Sequence, residues 1–208
     1  MPDLPRNGER PPPGKVALRN HLLTARRSLT DMERSAADVA VQAATTRLVR
    51  RSAPSTTAAY VPVGTEPGGA DLPEALAAAL PPGGRLLLPV LRPDGDLDWA
   101  VYAGPVSLAP GPRGLREPVG RRVGADAIRD AELVFVPALA VDRTGVRLGR
   151  GGGSYDRALA RTGGGSCLIV ALLHDGELLD AVPAEPHDRT VHGVVTPSGG
   201  LTTLPTSC

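Results

Sequence analysis

With 208 residues, 41% of them hydrophobic, the chain is long enough for one domain with a sizeable core. A formal net charge of +1 gives no electrostatic case for nucleic acid or membrane, and one Trp, three Tyr and one Phe are too few for a base-stacking platform. Cys167 and Cys208 lie too far apart for a C-x-x-C site, His21, His174, His187 and His192 show no zinc spacing, and no apolar run is long enough for export or a membrane span. A monomeric cytoplasmic protein with reduced thiols is expected.

Residues 1–13 contain five prolines and no apolar periodicity, which predicts a disordered tail ahead of a single domain over 14–208. Val16, Leu18, Leu22, Leu23 and Ala25 fit one face of a helix over about 15–29, and Lys15 and Arg19, four apart, share a side of its first turn. The chain has twenty-two arginines and one lysine, so Lys15 stands out as its one compact ammonium, a shape suited to reaching among phosphate oxygens. Thr30 followed by Glu33 is a capping box for a second helix over roughly 31–51.

A first strand is expected over 56–62, ending at a Pro- and Gly-rich turn that carries Glu66. Open α/β sheets bind ligands at the C-terminal ends of their strands, so Glu66 stands where a ligand meets the sheet. A helix over 71–80, a strand over 85–91 and a strand pair around 97–102 follow, with Trp99 and Tyr102 as core residues. Residues 105–124, rich in Pro, Gly and Arg, read as a long surface loop.

The organising stretch is 133–161. Leu133, Val134, Phe135 and Val136 form an apolar run closed by Pro137, as suits a strand buried on both faces. A turn, the run Gly149, Arg150, Gly151, Gly152, Gly153, and a helix opening on Tyr155, Asp156 and Arg157 come next. Without Cβ atoms the glycines let successive N–H groups converge on an anion, Arg147, Arg150 and Arg157 add positive charge, and Asp156 offers a carboxylate for a hard divalent cation. No GK[ST] follows, so this is not a Walker A loop, and Ser154 replaces the last glycine of G-x-G-x-x-G. A strand over 166–173 and a short strand over 193–196 complete the alternation, which predicts an α/β fold: a three-layer α/β/α domain with a mostly parallel mixed sheet.

The string VPALAVDRTGVRLGRGGGSYDR, from Val136 to Arg157, resembles the signature of the 5-formyltetrahydrofolate cyclo-ligase family. The stretches KVALR from Lys15, YVPVGTEP from Tyr60, and His187-Asp188 ahead of Val194-Val195-Thr196 stand in the same order. The resemblance implies ATP- and Mg²⁺-dependent conversion of 5-formyltetrahydrofolate to 5,10-methenyltetrahydrofolate. It implies ATP held by Lys15, Arg19, Arg147, Leu148, Gly149, Arg150, Gly151, Gly152, Gly153, Ser154 and Tyr155, and Mg²⁺ held by Asp156 with Asp188. Val61 and Glu66 would meet the folate together with Arg150 and the loop through Tyr155, and Lys15, Arg147 and Tyr155 would stand nearest the chemistry. Two positions depart from the family pattern: Ser154, where tyrosine is frequent, and His192, where an acidic residue is common. A phosphate-substrate enzyme of the sugar-phosphate isomerase or CoA-transferase type, and a non-catalytic nucleotide or folate binder, are the alternative readings.

Overall fold

Thr30 caps its helix as its spacing with Glu33 predicts: the threonine hydroxyl accepts from the Glu33 N–H at 3.2 Å, and the Glu33 carboxylate accepts from the Thr30 N–H at 2.8 Å. That cap separates helix α1 (Lys15–Ser28) from α2 (Asp31–Ser52) in a computed structural model that describes residues 14–162, 167–185 and 188–205. The expected tail over 1–13, together with His187 and Cys208, lies outside the described residues. In chain order the remaining elements are β1 (Thr56–Ala58), α3 (Leu72–Ala79), β2 (Arg85–Leu91), β3 (Leu97–Val101), β4 (Leu108–Pro110), β5 (Arg116–Pro118), β6 (Leu133–Pro137), β7 (Ala140–Asp142), β8 (Arg147–Leu148), α4 (Ser154–Leu159), β9 (Leu168–Leu172), β10 (Leu178–Leu179), β11 (Gly193–Thr196) and β12 (Gly200–Thr203).

Seven strands form the main sheet in the order β12-β11-β9-β6-β1-β2-β3. The five inner strands run parallel, and the antiparallel edges β3 and β12 make the sheet mixed. Alternation along β6 explains the layering. Leu133 and Phe135 face a core shared with Val41, Leu48 and Val49 of α2 and Leu72 and Leu76 of α3. Val134 and Val136 face the other core, with Trp99, Ile128, Ala158 and Leu159. Both sets are buried, so the strand reads as an unbroken apolar run, as sheets covered on both faces require. The fold is α/β/α, with a short helix and a 3₁₀ turn over Ala125–Asp130 covering the second face.

Several expectations need correcting. β1 stops at Ala58: one more ladder bond forms, from the Ala59 N–H to the Leu87 carbonyl, before the chain leaves the sheet ahead of Pro62, which has no N–H to donate. The segment 105–124 is not one long loop, since β4 and β5 pair as a hairpin within it. The turn between β6 and the glycines is itself a hairpin, β7-β8, which joins β10 in a three-stranded sheet. Asp142 shapes its tip by accepting from the Thr144 N–H at 2.8 Å and the Val146 N–H at 3.1 Å. Leu18 and Leu22 of α1 pack on Leu139, Ala140 and Leu148, so α1 lies against this small sheet. Strands β10 and β12 are short and were not anticipated. No helix among the described residues is long and apolar enough to cross a membrane.

Candidate active site

The residues that position the site come from three directions. From α1, Arg19 donates to the Gly149 carbonyl at 2.9 Å, and the Lys15 ammonium reaches Asp188 at 2.7 Å and Glu185 at 3.0 Å. Burial alone would lower the Lys15 ammonium, but its hydrogen bonds to Asp188 and Glu185 outweigh that and hold it above its ordinary value, so it is charged. From β8, Arg147 is buried and donates to the Pro137 carbonyl at 3.2 Å and to Asp156 at 2.8 Å. Asp156 also accepts from the Arg189 N–H at 3.3 Å. Buried Nε of Arg147 has no hydrogen-bond partner among the described residues, and the guanidinium stands 6.0 Å from the Tyr155 ring centroid.

Between these arms runs the glycine loop. At Gly149 an added Cβ would come 2.8 Å from Arg147 Nη1, and Gly151, with φ +98°, lies against the Arg19 guanidinium. Backbone without side chains is what lets the two arginines come so close to the loop.

From the C-terminal end of β1, the turn over 63–66 presents Glu66. Its carboxylate accepts from the Val63 N–H at 3.0 Å and pairs with Arg150 at 3.4 Å. Burial pushes the Glu66 carboxyl above its ordinary range, and the Arg150 charge opposes that shift. Partly buried Tyr155 is raised for the same first reason, burial, with the Glu66 carboxylate adding to it, so its phenol stays protonated.

Lys15, Arg19, Glu66, Arg147, Leu148, Gly149, Arg150, Gly151, Gly152, Gly153, Ser154, Tyr155, Asp156 and Asp188 all border one cavity of about 530 Å³. Of the residues that the family resemblance implies for the site, Val61 does not; it lines an adjoining recess of about 100 Å³ that shares Glu66 and Tyr155 with the main cavity. Ser154 is turned partly away, its hydroxyl donating to the Gly95 carbonyl at 2.5 Å. Arg157 stays beside the loop, where its guanidinium donates to the Gly152 carbonyl at 3.3 Å and to the Gly95 carbonyl at 2.6 Å, but it is not among the cavity's lining residues. His192 donates through its N–H to the Ile169 carbonyl and accepts the Ile169 N–H on Nδ1 at 3.0 Å, away from the cavity. Sequence reasoning missed Arg26, Leu91, Leu97, Arg113, Leu115 and Glu185 as lining residues. Only tertiary folding brings these to the site, and no local motif marks them.

Over residues 12–197 the sequence matches the profile of the 5-formyltetrahydrofolate cyclo-ligase family. The chain belongs to that family. It is 41% identical over 198 residues to a 5-formyltetrahydrofolate cyclo-ligase of Mycolicibacterium smegmatis, covering 93% of this chain and 98% of the relative. An Escherichia coli cyclo-ligase is 33% identical over 118 residues, 56% of this chain and 65% of the relative. Among solved structures, the 5,10-methenyltetrahydrofolate synthetase of Aquifex aeolicus superposes with a TM-score of 0.72 at 26% identity, covering 93% and 94% of the two chains. A synthetase of Mycoplasma pneumoniae shares the fold, with a TM-score of 0.66 at 19% identity over 86% and 96%. Within this cyclo-ligase frame, the motifs that are scattered along the sequence converge on one cavity.

Proposed function

We propose that the chain cyclises 5-formyltetrahydrofolate to 5,10-methenyltetrahydrofolate, with ATP converted to ADP and phosphate in a Mg²⁺-dependent step. The observation that carries this reading is one cavity with two chemically distinct ends. One end has the glycine loop, Lys15, Arg19 and Arg147; the other has Glu66 and Tyr155, with Val61 in the recess beyond. The first end fits a polyphosphate, since it combines a backbone surface that a Cβ would obstruct with three cations from two elements. The second fits a pterin, whose amino and ring N–H donors need an acceptor such as the Glu66 carboxylate.

ATP supplies the γ-phosphoryl group that turns the poor leaving oxygen of the formamide into a good one. The N5-iminium phosphate so formed is attacked at carbon by N10, and phosphate departs. This chain contributes positioning and charge rather than a covalent nucleophile. Lys15 and Arg147 neutralise phosphate oxygens, Arg19 fixes the loop backbone through Gly149, and Glu66 orients the pterin. Tyr155, kept neutral, offers a phenol O–H at the junction of the two ends.

Of the carboxylates on the cavity wall, Glu66, Asp156, Glu185 and Asp188, the pair assigned to Mg²⁺ is Asp156 and Asp188. The described residues contain no cluster of three or more His, Cys, Asp or Glu side chains suited to a metal. A pair of carboxylates is the donor set expected for Mg²⁺ that also binds substrate phosphates, so these residues fit the ion.

The test is turnover of 5-formyltetrahydrofolate, followed by the near-ultraviolet absorbance of the methenyl product, with ATP and Mg²⁺ present and then each omitted. Product that requires both supports the reading. ATP binding without product would move the assignment to a non-catalytic binder, and stabilisation by a sugar phosphate but not by folate would move it to a phosphate-substrate enzyme.

A further inference from the structure

Six basic side chains border the cavity: Lys15, Arg19, Arg26, Arg113, Arg147 and Arg150. Five are already engaged, with Asp188, the Gly149 carbonyl, Glu177, Asp156 and Glu66 respectively. Arg113 alone has no hydrogen-bond or ion-pair partner among the described residues. It sits at the tip of the β4-β5 hairpin, and its backbone is left-handed, with φ 57° and ψ 26°. A non-glycine side chain held there is uncommon and strained, and residues in such conformations gather at ligand clamps.

The strain is maintained by the hairpin. The Gly111 N–H donates to the Leu115 carbonyl at 2.8 Å, the Leu115 N–H donates to the Pro112 carbonyl at 3.0 Å, and the Glu117 carboxylate accepts the Leu91 N–H at 2.8 Å. Glu117 also passes so close to Gly111 that a Cβ there would stand 2.8 Å from its carboxyl carbon. The tip is therefore fastened to β2 at the wall of the cavity. Leu115, two residues on, lines both the main cavity and the recess with Val61, Glu66 and Tyr155. Arg113 and Leu115 thus share the wall of the main cavity, and Leu115 continues that wall into the recess beside Glu66 and Tyr155.

We propose that Arg113 is a specificity-determining residue that pairs with a carboxylate of the folate's glutamyl tail. The assignment rests on the folate reading of the cavity. A tetrahydrofolate carries its anionic groups only on that tail, and an exposed, unpaired guanidinium on a fixed support at the cavity mouth meets a carboxylate with little reorganisation. The planar fork of arginine adds bidentate geometry that a lysine lacks.

The experiment compares the wild-type enzyme with Arg113→Asn and Arg113→Lys. Asparagine tolerates the left-handed backbone, so the charge is removed without relieving or adding strain. Each is assayed with 5-formyltetrahydrofolate and with 5-formyltetrahydropteroate, which lacks the glutamyl carboxylates. Arg113→Asn is expected to raise KM for the folate by about five- to tenfold, with kcat and KM for ATP within about twofold of wild type. On the pteroate the two enzymes should have the same KM, and Arg113→Lys should recover part of the folate loss. An unchanged KM for the folate, or an equal loss on the pteroate, overturns the proposal. A rise in KM for ATP instead overturns it in favour of a nucleotide phosphate contact. If the wild type turns over neither substrate, the functional reading fails on its own, and calorimetric binding of the same two ligands to the same variants still decides the role of Arg113.

Discussion

Removing Arg26 alone should destabilise the protein more than any other single change to the cavity wall. Arg26 is 2% exposed and binds Glu177, 5% exposed, through two bonds, Nε to Oε1 at 2.6 Å and Nη2 to Oε2 at 2.8 Å, with Nη2 also donating to the Ala138 carbonyl at 2.5 Å. The pair fastens α1 to the connections that follow β6 and β9. Arg26→Met keeps most of the volume and leaves the Glu177 carboxylate buried with only the His174 N–H, at 2.7 Å, to satisfy it. Breaking a buried pair from one side costs about 3–5 kcal/mol. In a chain of this size that lowers Tm by roughly 6–20 °C at about 2–4 °C per kcal/mol. Urea denaturation at neutral pH measures the loss directly. The double change Arg26→Met with Glu177→Met removes both charges and should recover most of it, since a well-packed apolar pair is often no worse than the ion pair it replaces. An Arg26→Met enzyme within about 1 kcal/mol of wild type, or a double variant no more stable than the single one, would refute the reasoning.

Gly145→Ala places a methyl 2.5 Å from the Val191 carbonyl oxygen in a backbone with φ +89°, and should lower stability by about 2 kcal/mol or more, read from the shift of the urea midpoint. Burial pushes the Cys167 thiol up to about 11, so at pH 8 only about one molecule in a thousand carries the thiolate. In a Cys208→Ser background a thiol reagent should leave the native protein unmodified and react fully once it is denatured. Asp156→Asn should lower turnover on the order of 100-fold or more while leaving the dissociation constant of the folate within about twofold, and unchanged turnover would sink the metal role. For Glu66, burial raises the folded-state carboxyl above its unfolded value, so the ionised group destabilises the free protein at neutral pH and ceases to do so as pH falls through the unfolded value, where both states are protonated. Glu66→Gln is therefore expected to raise the Tm of the ligand-free protein by about 1–3 °C at pH 7, with the gain shrinking toward pH 4, while weakening folate binding in the same preparation.

The parts of the fold legible in the sequence were those where one periodicity dominates. The Thr30–Glu33 cap, the two helices beside it, and strands such as Arg85–Leu91 and Gly193–Thr196 follow from local pattern, and the structure places them where the pattern does. The short strands do not. Arg147–Leu148 and Leu178–Leu179 are two residues each, too brief to establish an alternation, and they exist because the hairpin at Asp142 and the connection after β9 bring each of them against β7. The same division holds in the site. Lys15, the glycines and Asp156 announce themselves by type and spacing, whereas Arg26 and Arg113 look like any two of twenty-two arginines. Their roles lie in what surrounds them: one is sealed against Glu177, and the other is held in a left-handed turn with no partner among the described residues.

Pre-existing partners also bear on how the site works. Lys15 and Arg147 are held by Asp188 and Asp156, so the cations that the proposed function assigns to phosphate and the carboxylates it assigns to Mg²⁺ neutralise each other on the cavity wall. Burying such groups singly would cost several kcal/mol each, and pairing them is what makes an ordered charged pocket compatible with folding. On the proposed reading, Asp156 and Asp188 would hold the metal in place of their present cations, and Lys15 and Arg147 would be released toward phosphate oxygens. On that reading, a metal bound without phosphate would leave Lys15 and Arg147 without their carboxylates, and phosphate bound without metal would leave Asp156 and Asp188 without their cations. The pairing would therefore couple the two ligands to one another, through Lys15 on α1, Arg147 on β8, Asp156 on α4 and Asp188 ahead of β11.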